Sequence, residues 1–313
     1  GWQLSYATTG TDGLRVHDVT YDGVEVLTSV KYLEWHVDYG FFGYVDVPGC
    51  GGGGGGFQIA PYGETQVLTL TNPSGAATGF ELIQDFRMSN WGQTCNYRYE
   101  NRLQFYNDGR FRVASGAYGR GCQTYGVYRP VVRIDLAVAG DRGDTFAYLD
   151  SDGWHQAITE TYRTPYAAVG HGPHVYDPFG RAWSIFDDGG SGYFVVGDRG
   201  QFAKSRGASP FLYVTQQDDA EGETDMGLIG ECCYDDHRQG PEAYVDGENL
   251  ASTNLVLWYV PQLVAHVDPA NDDYYCWTIN GEPDPETYPC IVGPLFVPFT
   301  PTFKQLFPVA FYD

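Results

Sequence analysis

The side chains able to do chemistry are sparse and unevenly placed. The chain has seven histidines, and none lies between His36 and His155. His171-Gly172-Pro173-His174 would bring two imidazoles together across a Gly-Pro turn, but no cysteine or carboxylate beside them completes the ligand set that a bound metal needs. Acidic pairs stand at Asp187-Asp188, Asp218-Asp219, Asp235-Asp236 and Asp272-Asp273. Calcium takes six to eight oxygens, so loops of this kind are where it would bind, although a solvated turn is the ordinary setting of such pairs. The seven cysteines include no Cys-x-x-Cys, which argues against zinc knuckles and for disulfides. Cys95 and Cys122 flank the segment around Asn107, and Cys276 and Cys290 flank one rich in Asp, Asn and Pro; both pairs are candidate bridges. Cys232-Cys233 is vicinal and would find partners elsewhere, Cys50 among them, and the odd count leaves one thiol over or one bridge to another chain. No Gly-x-Ser-x-Gly or His-Glu-x-x-His signature occurs. The six-glycine run 51–56 is followed by Phe57-Gln58-Ile59, not by the Lys and helix of a phosphate cradle, and reads as a loop.

Strands must position these residues, because period-2 alternation dominates and no segment argues for a helix. Leu14 to Val19 alternates, Asp22-Gly23 turns it, and Val24 to Val30 continues; Asp-Gly after a β-branched run is a strong hairpin signal. The device recurs at Asn107-Asp108-Gly109, between Leu103-Gln104-Phe105-Tyr106 and Phe111-Arg112-Val113, and at Ser151-Asp152-Gly153. Val132, Ile134, Leu136 and Val138 form one apolar face, with Arg133 and Asp135 opposite. Further strands are expected over 193–197, 211–215, 254–260 and 291–298. Turn signals recur throughout and no Pro/Ser-rich linker divides the chain, so residues 1–313 are expected to form a single all-β domain, a large antiparallel β-sandwich.

Composition narrows the function. With 18 basic against 40 acidic side chains, the formal net charge is −22. Nucleic-acid binding needs clustered Lys and Arg, and anionic membrane surfaces would repel such a chain. No run of 18 apolar residues exists to span a bilayer as a helix. Aromatics make up 16% of the chain, too many for a disordered acidic tail. Cysteine usage and acidity point to an exported, extracellular or cell-surface protein, and a chain beginning at Gly1 is read as a mature or trimmed one.

Several segments, taken in order, resemble the copper amine oxidase catalytic domain. Gly13 to Gly23, ending Val19-Thr20-Tyr21-Asp22-Gly23, is similar to that family's Gly-Leu…Val-x-Tyr/Phe-Asp-Gly strand pair. Tyr32-Leu33-Glu34-Trp35-His36-Val37-Asp38-Tyr39-Gly40 resembles its Glu-Met-x-Val-Pro-Tyr-Gly stretch. Asn96-Tyr97-Arg98-Tyr99 resembles its Asn-Tyr-Asp/Glu-Tyr motif, and Phe105 to Gly109 its Tyr-Gln-Asp-Gly hairpin. Arg133-Ile134-Asp135, Phe211 to Thr215, Asn254 to Tyr259 and Gly293 to Phe299 are similar to its Arg-Leu-Asp, Leu-Trp-Val-Thr, Asp-Ile-Val-Leu-Trp-Tyr and closing strands. The segments span nearly the whole chain, which is shorter than the usual catalytic domain.

The resemblance implies that family's large β-sandwich, a homodimer or higher homo-oligomer, and a definite set of site positions. Tyr97 matches the tyrosine that copper and oxygen convert to a quinone cofactor for primary-amine oxidation. Asp46 is the nearest match to the catalytic base, and reads as a solvated loop residue. The copper-binding His-x-His matches Gly126 and Tyr128, and the third histidine matches His266. Cupric ion favours nitrogen donors in tetragonal geometry, and one imidazole does not hold it. A peripheral calcium site of the family would retain Asp135 and Asn254, with Ala137 in place of a further ligand.

Three functions follow as expectations. The first is a non-catalytic structural, assembly or binding protein with no cofactor, in which Tyr97 and Asp46 are vestigial. The second is a copper- and quinone-dependent primary amine oxidase with remodelled ligands, its acidic surface attracting cationic amines. The third is a calcium- or carbohydrate-binding module.

Overall fold

The computed structural model describes residues 1–9, 13–40, 43–46, 60–93, 95–118, 122–123, 125–140, 142–165, 174–197, 210–221, 240–268, 273–274, 278–279, 282–283 and 290–299, with the backbone alone for 44–46, 125, 265–268, 273–274, 278–279 and 282–283. The six-glycine run, His171, Cys50, Cys232, Cys233, Cys276 and the acidic residues 235, 236 and 272 lie outside the described residues.

The first strands are β1 (Trp2–Thr8), β2 (Leu14–Tyr21), β3 (Val24–Asp38), β4 (Gly43–Asp46), β5 (Ala60–Thr71), β6 (Ala77–Arg87), β7 (Arg98–Tyr106) and β8 (Phe111–Tyr118). Next come β9 (Tyr125–Leu136), β10 (Thr145–Asp150), β11 (Gly153–Gln156), β12 (Thr161–Arg163), β13 (Arg181–Phe186), β14 (Gly192–Val196) and β15 (Phe211–Gln216). Last are β16 (Leu255–Val260), β17 (Leu263–Asp268), β18 (Asp273–Tyr274), β19 (Thr278–Ile279), β20 (Glu282–Pro283), β21 (Cys290–Val292) and β22 (Leu295–Phe299). Among the described residues the helical structure is a single 3₁₀ turn, Pro241–Tyr244, and no helix is long and apolar enough to cross a membrane.

The Asp-Gly steps do what their chemistry allows. Asp22 (φ 50°) and Gly23 (φ 81°) both take positive φ, and the turn joins β2 to β3 with Tyr21 opposite Val24. Gly109 turns β7 into β8, pairing Phe105 with Phe111, and residues 151–152 join β10 to β11. The strand expected over 291–298 is instead two, β21 and β22. Gly293 breaks it at φ 140°, where a Cβ would stand 2.1 Å from the Val113 carbonyl oxygen, and Pro294 offers no N–H to continue the ladder.

Two large antiparallel sheets result. The first runs β1-β2-β3-β9-β16-β15-β12, with β4 and β17 attached to β3 and β9; the second runs β11-β10-β13-β14-β22-β8-β7-β6-β5. Their facing sides form the main apolar core, in which Leu27, Val132, Ile134, Leu136, Leu257, Phe105, Phe111, Ile185 and Phe296 interlock. The outer side of the first sheet is buried as well. Val131, Val256, Trp258 and Phe211 cluster there beneath Tyr244 and Val245. That double burial explains why β16 is apolar at every position and buried at all of them. Between these apolar groups lies a buried pair, Arg133 Nη1 donating to Asp135 Oδ2 at 3.1 Å. A third cluster closes one end of the sandwich, where Trp35 and Val37 of β3 meet Phe86, Tyr97, Tyr99, Ala117, Tyr128 and Leu263.

Candidate functional site

The end cluster holds the positions singled out by resemblance. Gly126 and Tyr128 stand two apart on β9, so they share a face. β17 lies against that strand with Ala265 opposite Gly126 and His266 opposite Tyr125, which places the His266 backbone beside the pair. Tyr97 comes from the other sheet, one residue ahead of β7. The fold therefore brings positions 97, 126, 128 and 266 to one end. Asp46 ends β4 opposite Trp35, so it belongs to a short strand and not to the loop expected for it; pairing with the long β3 extends the sheet that far.

What fills the site was not anticipated. Tyr39, just past β3, is 4% exposed, and Tyr97 and Tyr128 are 1% exposed. The Tyr39 hydroxyl lies 2.7 Å from that of Tyr97 and 3.3 Å from that of Tyr128. The Cys122 amide donates to both Tyr39 Oη (2.9 Å) and Tyr97 Oη (3.1 Å), and Tyr97 Oη reaches Cys122 Sγ at 3.0 Å. Cys122 is itself bridged to Cys95, the disulfide expected from the flanking of the β7–β8 hairpin. Cys290 is also disulfide-bonded, to a partner outside the described residues. Burial, reinforced by the Tyr39 hydroxyl, pushes the Tyr97 phenol well above the ordinary tyrosine range, against a smaller opposing effect of the Cys122 amide. The phenol is thus held protonated. Tyr99 continues the cluster, stacked 4.2 Å from Trp35.

Position 126 has no room for a side chain. A Cβ built there would sit 2.7 Å from Tyr39 Cε1, 3.1 Å from Cδ1 and 3.2 Å from Tyr128 Cε2. His36 does not supply a nitrogen in its place: it alternates away from Trp35 and Val37, and its Nε2 lies 2.6 Å from Glu34 Oε1. Arg98, beside Tyr97, spans Asp85 (3.0 Å) and Glu100 (3.4 Å) and covers the Tyr118 ring at 3.8 Å. Met88, whose amide donates to the Tyr97 carbonyl at 2.9 Å, also lines an open cleft of about 680 Å³ with Tyr62, Arg87, Ser89 and Trp91.

The calcium candidates Asp135 and Asn254 lie within β9 and just ahead of β16. Asp135 is paired with Arg133, and Asn254 offers its backbone carbonyl to Gln217 N at 3.0 Å. A group that the sequence did not flag lies elsewhere: one carboxylate oxygen each of Glu160, Asp246 and Glu248 lie within 4.8 Å of one another. Glu160 is buried and accepts the amides of Gln216 (2.9 Å), Asp246 (2.9 Å) and Gly247 (3.2 Å). Burial and the nearby charges of Glu160, Asp218, Asp246 and Glu248 raise Glu221 to about 7. No signal in the sequence joins residue 160 to 246; a long chain separation hides the contact.

No protein-family model and no curated protein matches the chain. Solved structures do. A copper-containing benzylamine oxidase from Hansenula polymorpha aligns over 96% of this chain with TM-score 0.55 at 16% identity, covering 58% of its own length. The lysyl oxidase of Pichia pastoris aligns over 95% with TM-score 0.57 at 14% identity, and the Aspergillus nidulans amine oxidase over 95% with 0.53 at 13%. The chain spans 51% and 50% of those two, about half of each. At such identities the agreement is one of architecture, and the chain has a copper amine oxidase-like fold.

Proposed function

We propose that this chain is a non-catalytic, extracellular assembly or binding protein built on that fold, its copper position filled by tyrosines. One observation carries the reading: the Tyr39 ring occupies the space a side chain at 126 would need, 2.7 Å from the built Cβ. Of the three positions resembling copper ligands, one is a bare backbone and one a phenol bonded to the Tyr39 hydroxyl, leaving His266. That set does not fit a cupric ion, which wants several nitrogen donors. The Cys95–Cys122 bridge supports an oxidising compartment, and the cleft beside Met88 is of ligand size. Elemental analysis of the purified chain after incubation with copper and oxygen, with quinone staining, tests the reading. The expected result is sub-stoichiometric copper and no stain; one copper per chain with a modified Tyr97 overturns it.

A calcium-binding reading has its own support in the convergence of Glu160, Asp246 and Glu248. Because Glu221 titrates higher folded than unfolded, its neutral form favours folding at low pH, and that contribution fades as pH rises from about 4.5 through about 7. A divalent cation would relieve the crowding. Calcium at about a hundredfold over its Kd adds roughly 2.7 kcal/mol, so a melting-temperature rise of a few degrees at pH 7.5 is expected, absent in Glu160→Gln. An identical melt in calcium and in chelator removes this reading.

A further inference from the structure

The cleft beside Met88 differs in charge from the molecule around it. In a chain with 40 acidic and 18 basic side chains, its described lining carries one charged group, the Arg87 guanidinium, and no carboxylate. The rings of Tyr62 and Trp91, the Met88 thioether and Pro61 supply most of the rest. At about 680 Å³ it has the volume of a small-molecule site, and apolar walls around one fixed charge are the usual make-up of such a site.

These walls stand in place before any ligand arrives. The register of β5 against β6 sets Ala60 opposite Arg87 and Tyr62 opposite Asp85, then slips between Tyr62 and Gln66, where Gly63 takes φ 71°. A bulge re-aims the side chains beside it. The Tyr62 ring, 57% exposed, has the Arg87 guanidinium carbon 3.8 Å from its centre. Trp91 is set by a turn in which its amide donates to the Met88 carbonyl at 3.1 Å, and its ring meets Tyr118 edge-on at 6.2 Å. Rings already held lose little freedom when a flat ligand packs on them.

The charge is arranged as well. Arg87, Asp85, Arg98, Glu100, Arg102 and Glu81 form a row of alternating sign across β6 and β7, with successive contacts of 2.6, 3.0, 3.4, 2.7 and 3.1 Å. Such a row cancels in its interior and shows its charge at the ends. Glu81 stands six residues from Arg87 along β6, about 20 Å away, where its field at the cleft is weak. The end that meets the cleft is the cationic one. Arg87 gives Nε and Nη2 to Asp85 Oδ2, at 2.9 and 2.6 Å. Its remaining N–H groups have no acceptor among the described residues. Those on Nη1 and Nη2 make the end-on fork that a carboxylate accepts in pairs.

We propose that this cleft binds a flat organic anion, an arylcarboxylate, with its ring against Tyr62 and Trp91 and its carboxylate on the open edge of Arg87. Chemistry selects it over the alternatives. An amine would face a guanidinium with no carboxylate in the described lining to receive it. An inorganic anion would leave the aromatic walls unused, and a neutral ring would leave the guanidinium edge without a charged acceptor. The inference rests on the reading of the chain as a binding protein and names the class of ligand its cleft takes.

Calorimetric titration at pH 7.5 and low salt tests it, with 2-naphthoate, 2-naphthamide and 2-naphthylmethylamine as an anion, a neutral body and a cation of one shape. Naphthoate is expected to bind with a Kd of about 1 mM or tighter, the scale for a ligand of its size. It should bind at least about tenfold more tightly than either of the others. Arg87→Gln is expected to weaken naphthoate about tenfold and to abolish the preference. Its circular dichroism should match the parent, because Arg98 still pairs with Asp85. Trp91→Ala should weaken all three probes alike. Equal affinity for the three, a preference for the amine, or no naphthoate binding at about 5 mM, well above the expected Kd, overturns the proposal. So does either variant binding naphthoate as tightly as the parent. The preference is read in the unaltered chain, so it decides even where a variant fails to fold. Copper and quinone analysis decides the non-catalytic reading separately, whichever probe binds here.

Discussion

Gly126→His, made in the otherwise unaltered chain, is expected to lower stability by about 3 kcal/mol, the upper end of what overpacking a tight core costs. The cause is specific. The new Cβ would meet Tyr39 Cε1 at 2.7 Å, and the ring has no slack, because its hydroxyl is held by Cys122 N and by Tyr97. Tyr39→Ala alone should cost about 4 kcal/mol, the scale of removing a large buried aromatic, with three hydrogen-bonding groups left behind. The combined Tyr39→Ala/Gly126→His chain should lose at least 1 kcal/mol less than the sum of the two, since each change then makes room for, or fills, what the other leaves. Denaturant unfolding of the four chains gives the coupling. Strict additivity would show that the Tyr39 ring is not what occupies the space in front of position 126.

Acid should weaken the protein through His174. Burial holds this imidazole down to about 4, helped by Arg163 and opposed by the Pro210 carbonyl. Nε2 lies 2.5 Å from that carbonyl and is the donor, while Nδ1 is buried with no hydrogen-bond partner among the described residues. Adding a proton to Nδ1 would create a buried, unpaired cation against the Trp183 ring, 4.8 Å away. The unfolded chain takes up that proton near 6.5 and the folded chain does not, so the contribution is complete above about 6.5 and is lost as pH falls towards 4. Between pH 7 and pH 4.5 it amounts to roughly 2–3 kcal/mol. His174→Gln keeps an N–H for Pro210 and cannot titrate. Its stability should fall less than the parent's over that interval, by this amount; equal losses in urea titrations at the two pH values would refute the assignment.

How far the sequence carries is set by contact range. The hairpins at Asp22-Gly23 and at Asn107-Asp108-Gly109 were legible because a turn and its two strands are neighbours in the chain. The apolar face of Val132, Ile134 and Leu136 was legible because alternation is local, and all three reach the main core. The Cys95–Cys122 bridge follows from the hairpin between them. The break at Gly293 was missed, since its cause is the backbone of Val113 in a distant strand. Tyr39 was missed for the same reason. It reads as the end of an aromatic strand; the pairing of β3 with the distant β9 sets it against Gly126, and the closing of one sheet on the other sets it against Tyr97. Glu160 and Asp246 meet in the same manner, across most of the second half of the chain.

The phenol cluster also bears on how the two layers are aligned. Most of their mutual surface is hydrocarbon, which attracts without regard to direction and would tolerate a small slide or rotation. At the closed end, Tyr39 from one layer, itself bonded to Tyr128 of the same layer, grips Tyr97 from the other by a bond that holds only at definite angles. A disulfide-anchored amide fixes the meeting point. Such a fully satisfied polar knot selects one arrangement among many of nearly equal hydrophobic energy. In this molecule the phenols of Tyr39, Tyr97 and Tyr128 serve as a keyway between the layers.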